Sequence, residues 1–202
     1  MTTPDTTAPQ RRKRGRPRTF DAADVLDRSV NVFWRHGYHQ VTTRDLEREI
    51  GISQSSIYNT FGSKEGLFRQ VLERYQEQLG EQVLAQLERP NPDRQALLDF
   101  VDAVVSWVSD PEHPGCLILN FGNDSPEGRE LLSTYRNRLR GLINPAVASF
   151  TADQEQVALR TELVTAAVLG ISASARGGAD GDEVRLLGAG VSQQIRSWHR
   201  PD

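Results

Sequence analysis

Apolar residues recur at helical spacing through almost the whole chain, and this periodicity restricts the class of fold. From residue 21 onward they are separated by three or four positions, and no alternating run bounded by turn residues predicts a strand. The 202 residues are 37% apolar, enough to bury one sizeable core or a small module and a larger one. The sequence therefore predicts an all-α protein of about nine helices arranged in two modules.

The first module has the proportions of a helix-turn-helix. A first helix is expected over residues 21–36, and Thr42 with Asp45 predicts a capping box at the start of a second helix. Gly51 can end that second helix in a left-handed conformation, and Ser53 can cap a short third helix. Two short helices joined by a tight turn, with an amphipathic helix on each side, are typical of a helix-turn-helix domain.

These patterns divide the chain into three segments. Residues 1–20 carry basic side chains but no aliphatic pattern, which predicts a flexible basic arm. Residues 21–66 form the expected three-helix DNA-binding domain. Residues 67–202 contain the remaining helices, interrupted by two prolines within residues 90–92, and we expect them to form a wholly helical second domain for effector binding and dimerisation.

The charge of the chain is unevenly distributed. Residues 1–75 contain 13 Lys and Arg against 9 Asp and Glu, whereas the rest of the chain contains 11 against 18. Arg14, Arg16 and Arg18 surround a glycine and a proline in the arm, a pattern that can lie in the narrow minor groove of A·T-rich DNA. A solubilising tail that attracts phosphates without specificity is the equal alternative. Both interpretations predict that a polyanion is drawn to this end of the chain.

Several function classes have no signature in the sequence. No apolar run approaches a membrane span, and the basic N-terminus has no apolar segment behind it, so we expect a cytoplasmic protein without membrane contact. The single cysteine, Cys116, excludes an intramolecular disulfide. Nucleotide-binding, metalloprotease and nucleophile-elbow motifs are absent, and the cysteine and histidine spacing fits no common metal site. We therefore expect neither an enzyme nor a bound cofactor or metal.

Five short motifs follow one another in the first module and carry a family resemblance. They are Phe33 with His36-Gly37-Tyr38, Thr42-Thr43 with Asp45-Leu46, Gly51-Ile52-Ser53, Ile57-Tyr58 before Phe61, and Ser63-Lys64-Glu65 before Leu67-Phe68. In order and spacing they resemble the N-terminal domain of TetR/AcrR-family transcriptional regulators. Glu49 departs from the family pattern, because many relatives carry alanine there. The second domain resembles the family in being helical and of suitable length, and in a Gly-Cys-Leu-Ile string at residues 115–118 that recurs in some branches.

The resemblance implies a set of DNA contacts on and beside the third helix. Gln54 is the first choice for a base contact, because glutamine and asparagine can bond adenine bidentately in the major groove. Tyr58, Thr43, Arg44 and Lys64 are the expected phosphate contacts. Solvated helix faces without a partner are the alternative interpretation. The full set of expected contacts in the two helices and beyond is Thr43, Arg44, Gln54, Ser55, Ser56, Tyr58, Asn59 and Lys64.

The last two helices are expected to form a homodimer interface, because one helix-turn-helix contacts only a few base pairs and specificity requires two copies on a palindrome. One helix carries a face of small and leucine residues, namely Leu159, Leu163, Ala166, Gly170 and Ala173. The other carries an apolar stripe, namely Val184, Leu187, Val191, Ile195 and Trp198. Packed against their symmetry mates, the two helices could form a four-helix bundle. In the alternative interpretation these stripes only complete the core of the monomer.

The second domain is also expected to bind a small, largely apolar effector. An apolar cavity with Asn120 and Tyr135 as polar contacts could form between its helices, although apolar residues at helical spacing more often form plain core. The candidate effector residues are Phe100, Val104, Trp107, Cys116, Asn120, Phe121, Tyr135 and Leu139. Cys116 follows a Pro-Gly pair at the expected start of a helix, a position that lowers the pKa of a thiol and favours a reactive thiolate. A buried, unreactive cysteine is the alternative.

Together these patterns predict a ligand-responsive, dimeric DNA-binding transcriptional regulator, a repressor that releases a palindromic operator when a small molecule binds. Two alternatives remain at this point. One is a regulator that senses electrophiles or oxidants through Cys116, and the other is an architectural protein that binds A·T-rich DNA without a ligand. The sequence identifies neither the operator nor the effector.

Overall fold

The computed structural model describes residues 21–112, 114–122 and 126–198. Its helices are α1 (Ala22–His36), α2 (Thr43–Ile50), α3 (Gln54–Phe61), α4 (Lys64–Leu79), α5 (Ala85–Glu88), α6 (Arg94–Val108), α7 (Leu117–Gly122), α8 (Pro126–Ala148), α9 (Gln154–Arg176) and α10 (Gly181–Ser197). A π-helical turn, Gly80–Leu84, joins α4 to α5 without leaving helical backbone angles. The segments α4, the π-helical turn and α5 form one continuous rod. Counting this rod as one helix gives nine helices and no strand in the described ranges, which confirms the all-α prediction. The arginines of the basic arm, Arg14, Arg16 and Arg18, lie outside the described residues.

Side-chain caps fix where the short helices of the first module begin. The amide of Asp45 donates to the Thr42 hydroxyl at 3.2 Å, and the Thr42 amide donates back to the Asp45 carboxylate at 2.9 Å. These hydrogen bonds, first of all from the Thr42 side chain, lower the pKa of Asp45 to about 2. The Ser53 hydroxyl accepts from the amide of Ser56 at 3.2 Å. The capping box and the Ser53 cap predicted from the sequence are therefore confirmed.

The first module packs around side chains from three short helices and from α4. Phe33 of α1, Leu46 of α2 and Ile57 of α3 are all fully buried. The ring of Phe33 lies 4.9 Å from that of Phe68 on α4, in an edge-to-face arrangement. At the surface of the contact between α1 and α4, the guanidinium of Arg74 forms an ion pair with the Asp27 carboxylate at 2.6 Å. Helices this short need such tertiary packing to be stable, and α4 therefore belongs to both modules.

The second module is built on the continuation of that rod. Tyr75 is fully buried, and its ring lies 4.9 Å from that of Trp34 on α1 and 5.9 Å from that of Trp107 on α6. The loop before α7 lies close against α9, because a Cβ on Gly115 would stand 2.7 Å from the carbonyl oxygen of Ser172. Gly115 also has a φ of +78°, which favours glycine. The first turn of α7 is thereby held between α9 and the rod.

The face of small and leucine residues expected on α9 is exposed in the single chain. Leu159 is 52% exposed and Leu163 is 50% exposed, and the other three members of that face are exposed as well. On α10 the expected stripe divides, since Val184 and Ile195 are buried within the chain whereas Leu187 is 42% exposed. By length and composition α9 is the one helix in the described ranges that could cross a membrane, but core helices of soluble proteins pass the same test.

Candidate nucleic-acid interface

Helix α3 presents a polar face on the side away from the core. Ile57 and Phe61 are buried, at 0% and 7% exposure, and attach the helix to the first module. Ser55, Tyr58 and Asn59 are exposed on the other side, with Tyr58 at 51%. This face carries hydroxyl and amide groups and no charge. Such groups can donate to and accept from base edges and phosphate oxygens in a major groove.

The side-chain amide of Gln54 is hydrogen-bonded within the protein at both of its ends. Its amide nitrogen donates to the Glu47 carboxylate at 2.9 Å, and its amide oxygen accepts from the Thr43 hydroxyl at 3.3 Å. Both ends of the Gln54 amide are therefore engaged with α2 in the DNA-free chain, and the predicted base contact by Gln54 would require these hydrogen bonds to break. Ser55 and Asn59 are exposed and become the better candidates for the first base contact.

Lys64 also has a structural partner that the sequence did not reveal. Its ammonium donates to the carbonyls of Tyr38 and Val41, each at 2.7 Å, and lies 4.3 Å from the centre of the Tyr38 ring. Burial lowers the pKa of Lys64. Lys64 thus ties the turn between α1 and α2 to the first residue of α4, and the phosphate contact expected of Lys64 stays a prediction.

The charges around the interface are nearly balanced. Arg44 is exposed and has no hydrogen bond or ion pair with the described part of the chain. Arg48 is paired with Asp45 at 2.8 Å and with Glu49 at 3.4 Å. Residues 43–61 contain two arginines and three carboxylates, so they supply little net attraction for DNA. Arg44 is thus the strongest phosphate candidate in α2. The net positive charge of residues 1–75 lies in the arm, since residues 21–75 contain 7 Lys and Arg against 8 Asp and Glu.

The expected effector cavity between α6, α7 and α8 does not form as predicted. Four of the eight candidate residues are core: Phe100 is 0% exposed, Leu139 is 1%, Cys116 is 3% and Val104 is 7%. Side chains with so little accessible surface leave no room beside them for a ligand. Trp107 instead lines a surface pocket of about 270 Å³, and Tyr135 is half-buried with its pKa raised by burial. Asn120 and Phe121 line a different cleft, described below.

The Tyr75 hydroxyl is the centre of a buried polar cluster. It accepts from the indole nitrogen of Trp107 at 3.1 Å and from the amide of Leu117 at 3.3 Å, and it is hydrogen-bonded to the thiol of Cys116. Burial raises the pKa of Tyr75 well above its ordinary value. No local sequence pattern indicates this cluster, since Trp107 and Leu117 are 32 and 42 residues away from Tyr75.

Cys116 is buried and its pKa is raised, which contradicts the expected thiolate. Burial is the dominant cause, and it outweighs the lowering by the Tyr75 hydroxyl and by the amides of Leu119 and Ile118 at the start of α7. The start of a helix does act in the expected direction, but loss of water around the thiol has the larger effect. The structure therefore does not favour a thiol-based sensor.

Comparison with known proteins, like the geometry of α2 and α3, indicates a DNA-binding protein. The family model for bacterial regulatory proteins of the tetR family matches residues 25–71. The chain is 29% identical over 207 aligned residues to the transcriptional repressor ComR of Escherichia coli K12, with 96% of both chains covered. It is 36% identical over 130 residues to the regulator YezE of Bacillus subtilis 168, covering 63% of this chain and 67% of that protein. A cysteine mutant of the TetR-family regulator CifR, solved with 26-base-pair operator DNA, superimposes with a TM-score of 0.77 at 28% identity, covering 91% of this chain and all of that one.

The capped α2–turn–α3 unit, its exposed polar face and these matches define a helix-turn-helix DNA-binding transcriptional regulator. The chain belongs to the TetR family.

Proposed function

We propose that this regulator is a dimeric, ligand-responsive repressor that acts in the cytoplasm on a palindromic operator. Residues 21–66 would bind DNA, and residues 67–202 would bind the effector and form the dimer. The observation that carries the proposal is the uncharged face of α3, on which Ser55, Tyr58 and Asn59 are exposed while Ile57 anchors the helix. Such a face suits base edges in a duplex groove better than a protein surface.

The need for two copies follows from the size of this face. One short helix contacts only a few base pairs, and dimeric helix-turn-helix proteins gain specificity by placing two such helices in successive major grooves. The apolar side chains on α9 and α10, including Leu163 and Leu187, would be covered by a twofold-related chain. Four helices would then pack as a bundle.

Release by a ligand requires that the ligand bind one spacing of the two α3 helices better than the other. The rod from α4 to α5 is the element through which such a preference would pass. It contacts α1 through Phe68 and reaches the second module through Tyr75. A shift of this rod would therefore move the first module relative to the dimer interface.

Selection of bound fragments from random duplex DNA tests the proposal, and paired variants separate base contacts from phosphate contacts. Asn59→Ala is expected to relax the selected sequence at one or two positions, since each good base contact contributes about 1–3 kcal/mol of discrimination. Arg44→Ala should weaken binding to all sequences about equally and reduce the salt dependence by about one phosphate contact. Neither substitution should change the midpoint of thermal unfolding, because both residues are exposed. An unchanged sequence preference in Asn59→Ala would exclude that residue from base recognition.

Removal of residues 1–18 is expected to flatten the salt dependence of DNA binding. The described interface is nearly neutral, whereas the arm carries Arg14, Arg16 and Arg18 among its basic residues. Each phosphate neutralised by a cation contributes about 0.9 to the slope of log affinity against log salt. Titration of a fixed duplex at several salt concentrations measures this slope for the full and shortened chains. Equal slopes would show that the arm makes no DNA contact.

A further inference from the structure

A cleft of about 310 Å³ lies between the first module and the second. Its walls are the turn after α1 (residues 36–40), Leu117, Asn120 and Phe121 of α7, and Arg176 at the end of α9. This volume is at the lower end of the range for small-molecule sites. The cleft is separate from the cavity expected between α6, α7 and α8, where the structure has packed core instead.

Two side chains of this cleft, Asn120 and Arg176, have N–H groups that are not all hydrogen-bonded. Among the residues that the structure describes, the amide nitrogen of Asn120 is covered by protein and has no hydrogen-bond partner. Arg176 has one guanidinium nitrogen that donates to the carbonyls of Trp34 and Arg35 at 3.1 and 3.5 Å, which leaves its other N–H groups available. In the part of the chain that is described, no Asp or Glu lines the cleft. The carboxylate of Glu49 lies 3.6 Å from the imidazole of His36 but does not line the cleft. The charge of Glu65, also outside the lining, acts on Tyr38.

A covered donor without a partner is costly, because it has lost water and gained nothing in exchange. A ligand that brings oxygen acceptors would satisfy Asn120, and a negative charge on those oxygens would be attracted by Arg176. The rest of the lining contains three polar side chains, those of His36, His39 and Gln40, and an apolar part. In the apolar part the ring of Phe121 lies 5.7 Å from the ring of Tyr38 in an edge-to-face arrangement, and Leu117 lines the same cleft. The lining therefore combines a cationic, donor-rich end with an aromatic wall.

We propose that this cleft is a binding site for a small carboxylate with an apolar body. The carboxylate would accept from Arg176 and, once the Asn120 side chain rotates to expose its covered amide nitrogen, from Asn120 as well. The apolar body would lie against Phe121 and Tyr38. As an effector site this inference rests on the proposed ligand-responsive function, but the binding itself does not.

The position of the cleft gives its ligand a direct route to the DNA-binding helices. The turn that forms one wall leads into α2, and Lys64 holds its Tyr38 and Val41 carbonyls. Arg176 links the end of α9 to the last turn of α1. A carboxylate bound to the other N–H groups of Arg176 would attract the same guanidinium that holds the Trp34 and Arg35 carbonyls. Binding would therefore shift the end of α9 relative to α1 and change the setting of α3.

Calorimetric titration of the full chain, without DNA, tests the site. The probes are benzoate, phenylacetate and hexanoate, each compared with its neutral amide. At least one carboxylate is expected to bind, and its amide should bind about tenfold or more weakly because the charge-assisted hydrogen bonds are lost. Asn120→Asp adds a negative charge in place of the donor and should weaken that carboxylate by about tenfold or more. The matched control is Asn137→Asp, the same change on the exposed side of α8, which should leave binding unaltered.

Three results would overturn the proposal: none of the carboxylates binds, the amides bind equally well, or Asn120→Asp binds like the wild type. If Asn120→Asp fails to fold, Asn120→Leu removes the donor without adding charge and must still weaken binding. DNA affinity measured on the same samples keeps the two proposals apart. Loss of carboxylate binding with intact operator binding contradicts only this site, whereas absence of operator binding contradicts the proposed function.

Discussion

Leu163→Glu is expected to abolish sequence-specific DNA binding. Leu163 lies on the face of α9 that the single chain leaves exposed, and in a twofold dimer it would face its own symmetry mate. Two buried, unpaired carboxylates would oppose dimer formation. A monomer has only one α3, so its affinity should fall toward the nonspecific level, about 10³-fold or more below specific binding. Sedimentation and fluorescence anisotropy with a selected operator measure the two effects together.

Thr134→Glu provides the control for this prediction. It places the same carboxylate at an exposed position of α8, a helix that is not part of the expected interface. It should remain dimeric and should bind the operator with unchanged affinity. A Leu163→Glu protein that stays dimeric would exclude this face from the interface, and one that becomes monomeric yet binds normally would show that the dimer is not needed for recognition.

Tyr75→Phe is expected to lower the free energy of unfolding by about 2–5 kcal/mol, although it removes a single oxygen. The lost hydroxyl accepts from the Trp107 indole and from the Leu117 amide. The amide would remain buried without a partner, and the indole nitrogen would lose its partner in a partly buried position. Each unsatisfied buried donor costs about 1–3 kcal/mol. Urea denaturation of the mutant and the wild type, followed by circular dichroism, measures the difference.

Tyr58→Phe is the matched control, since it removes the same atom from an exposed tyrosine. Its free energy of unfolding should be unchanged, whereas its operator affinity should fall because the hydroxyl is an expected phosphate contact. Tyr75→Phe is therefore expected to lower the free energy of unfolding, whereas Tyr58→Phe is expected to lower operator affinity and to leave the free energy of unfolding unchanged. A Tyr75→Phe protein as stable as the wild type would show that water or a rearrangement satisfies the two donors.

Local sequence signals predicted the first module well. The Thr42–Asp45 capping box and the Ser53 cap depend on residues only three positions apart, and both were found as expected. The burial of Ile57 and Phe61 followed from their spacing on a short helix. Such features are encoded within one turn of chain and do not depend on the rest of the fold.

Features that depend on distant residues could not be predicted from the sequence. Gln54 bonds to Glu47 and Lys64 bonds to Tyr38, partners seven and 26 residues away, and neither contact leaves a pattern in the sequence. The same limit applies to the effector cavity. An apolar stripe shows which side of a helix is buried, but whether Phe100 meets another side chain or a cavity depends on how three helices fit together. The cleft at Asn120 and Arg176 joins residues that only the fold brings close.

The effect of half-site spacing on affinity tests the central claim most directly, because the claim is that two α3 helices bind successive major grooves of one duplex. A selected palindrome would be compared with duplexes that carry about five additional base pairs between the half-sites, half a helical turn. The account predicts that affinity falls to the nonspecific level, since one α3 then faces the wrong side of the duplex. Equal affinity at both spacings, or a single chain bound per palindrome, would contradict it.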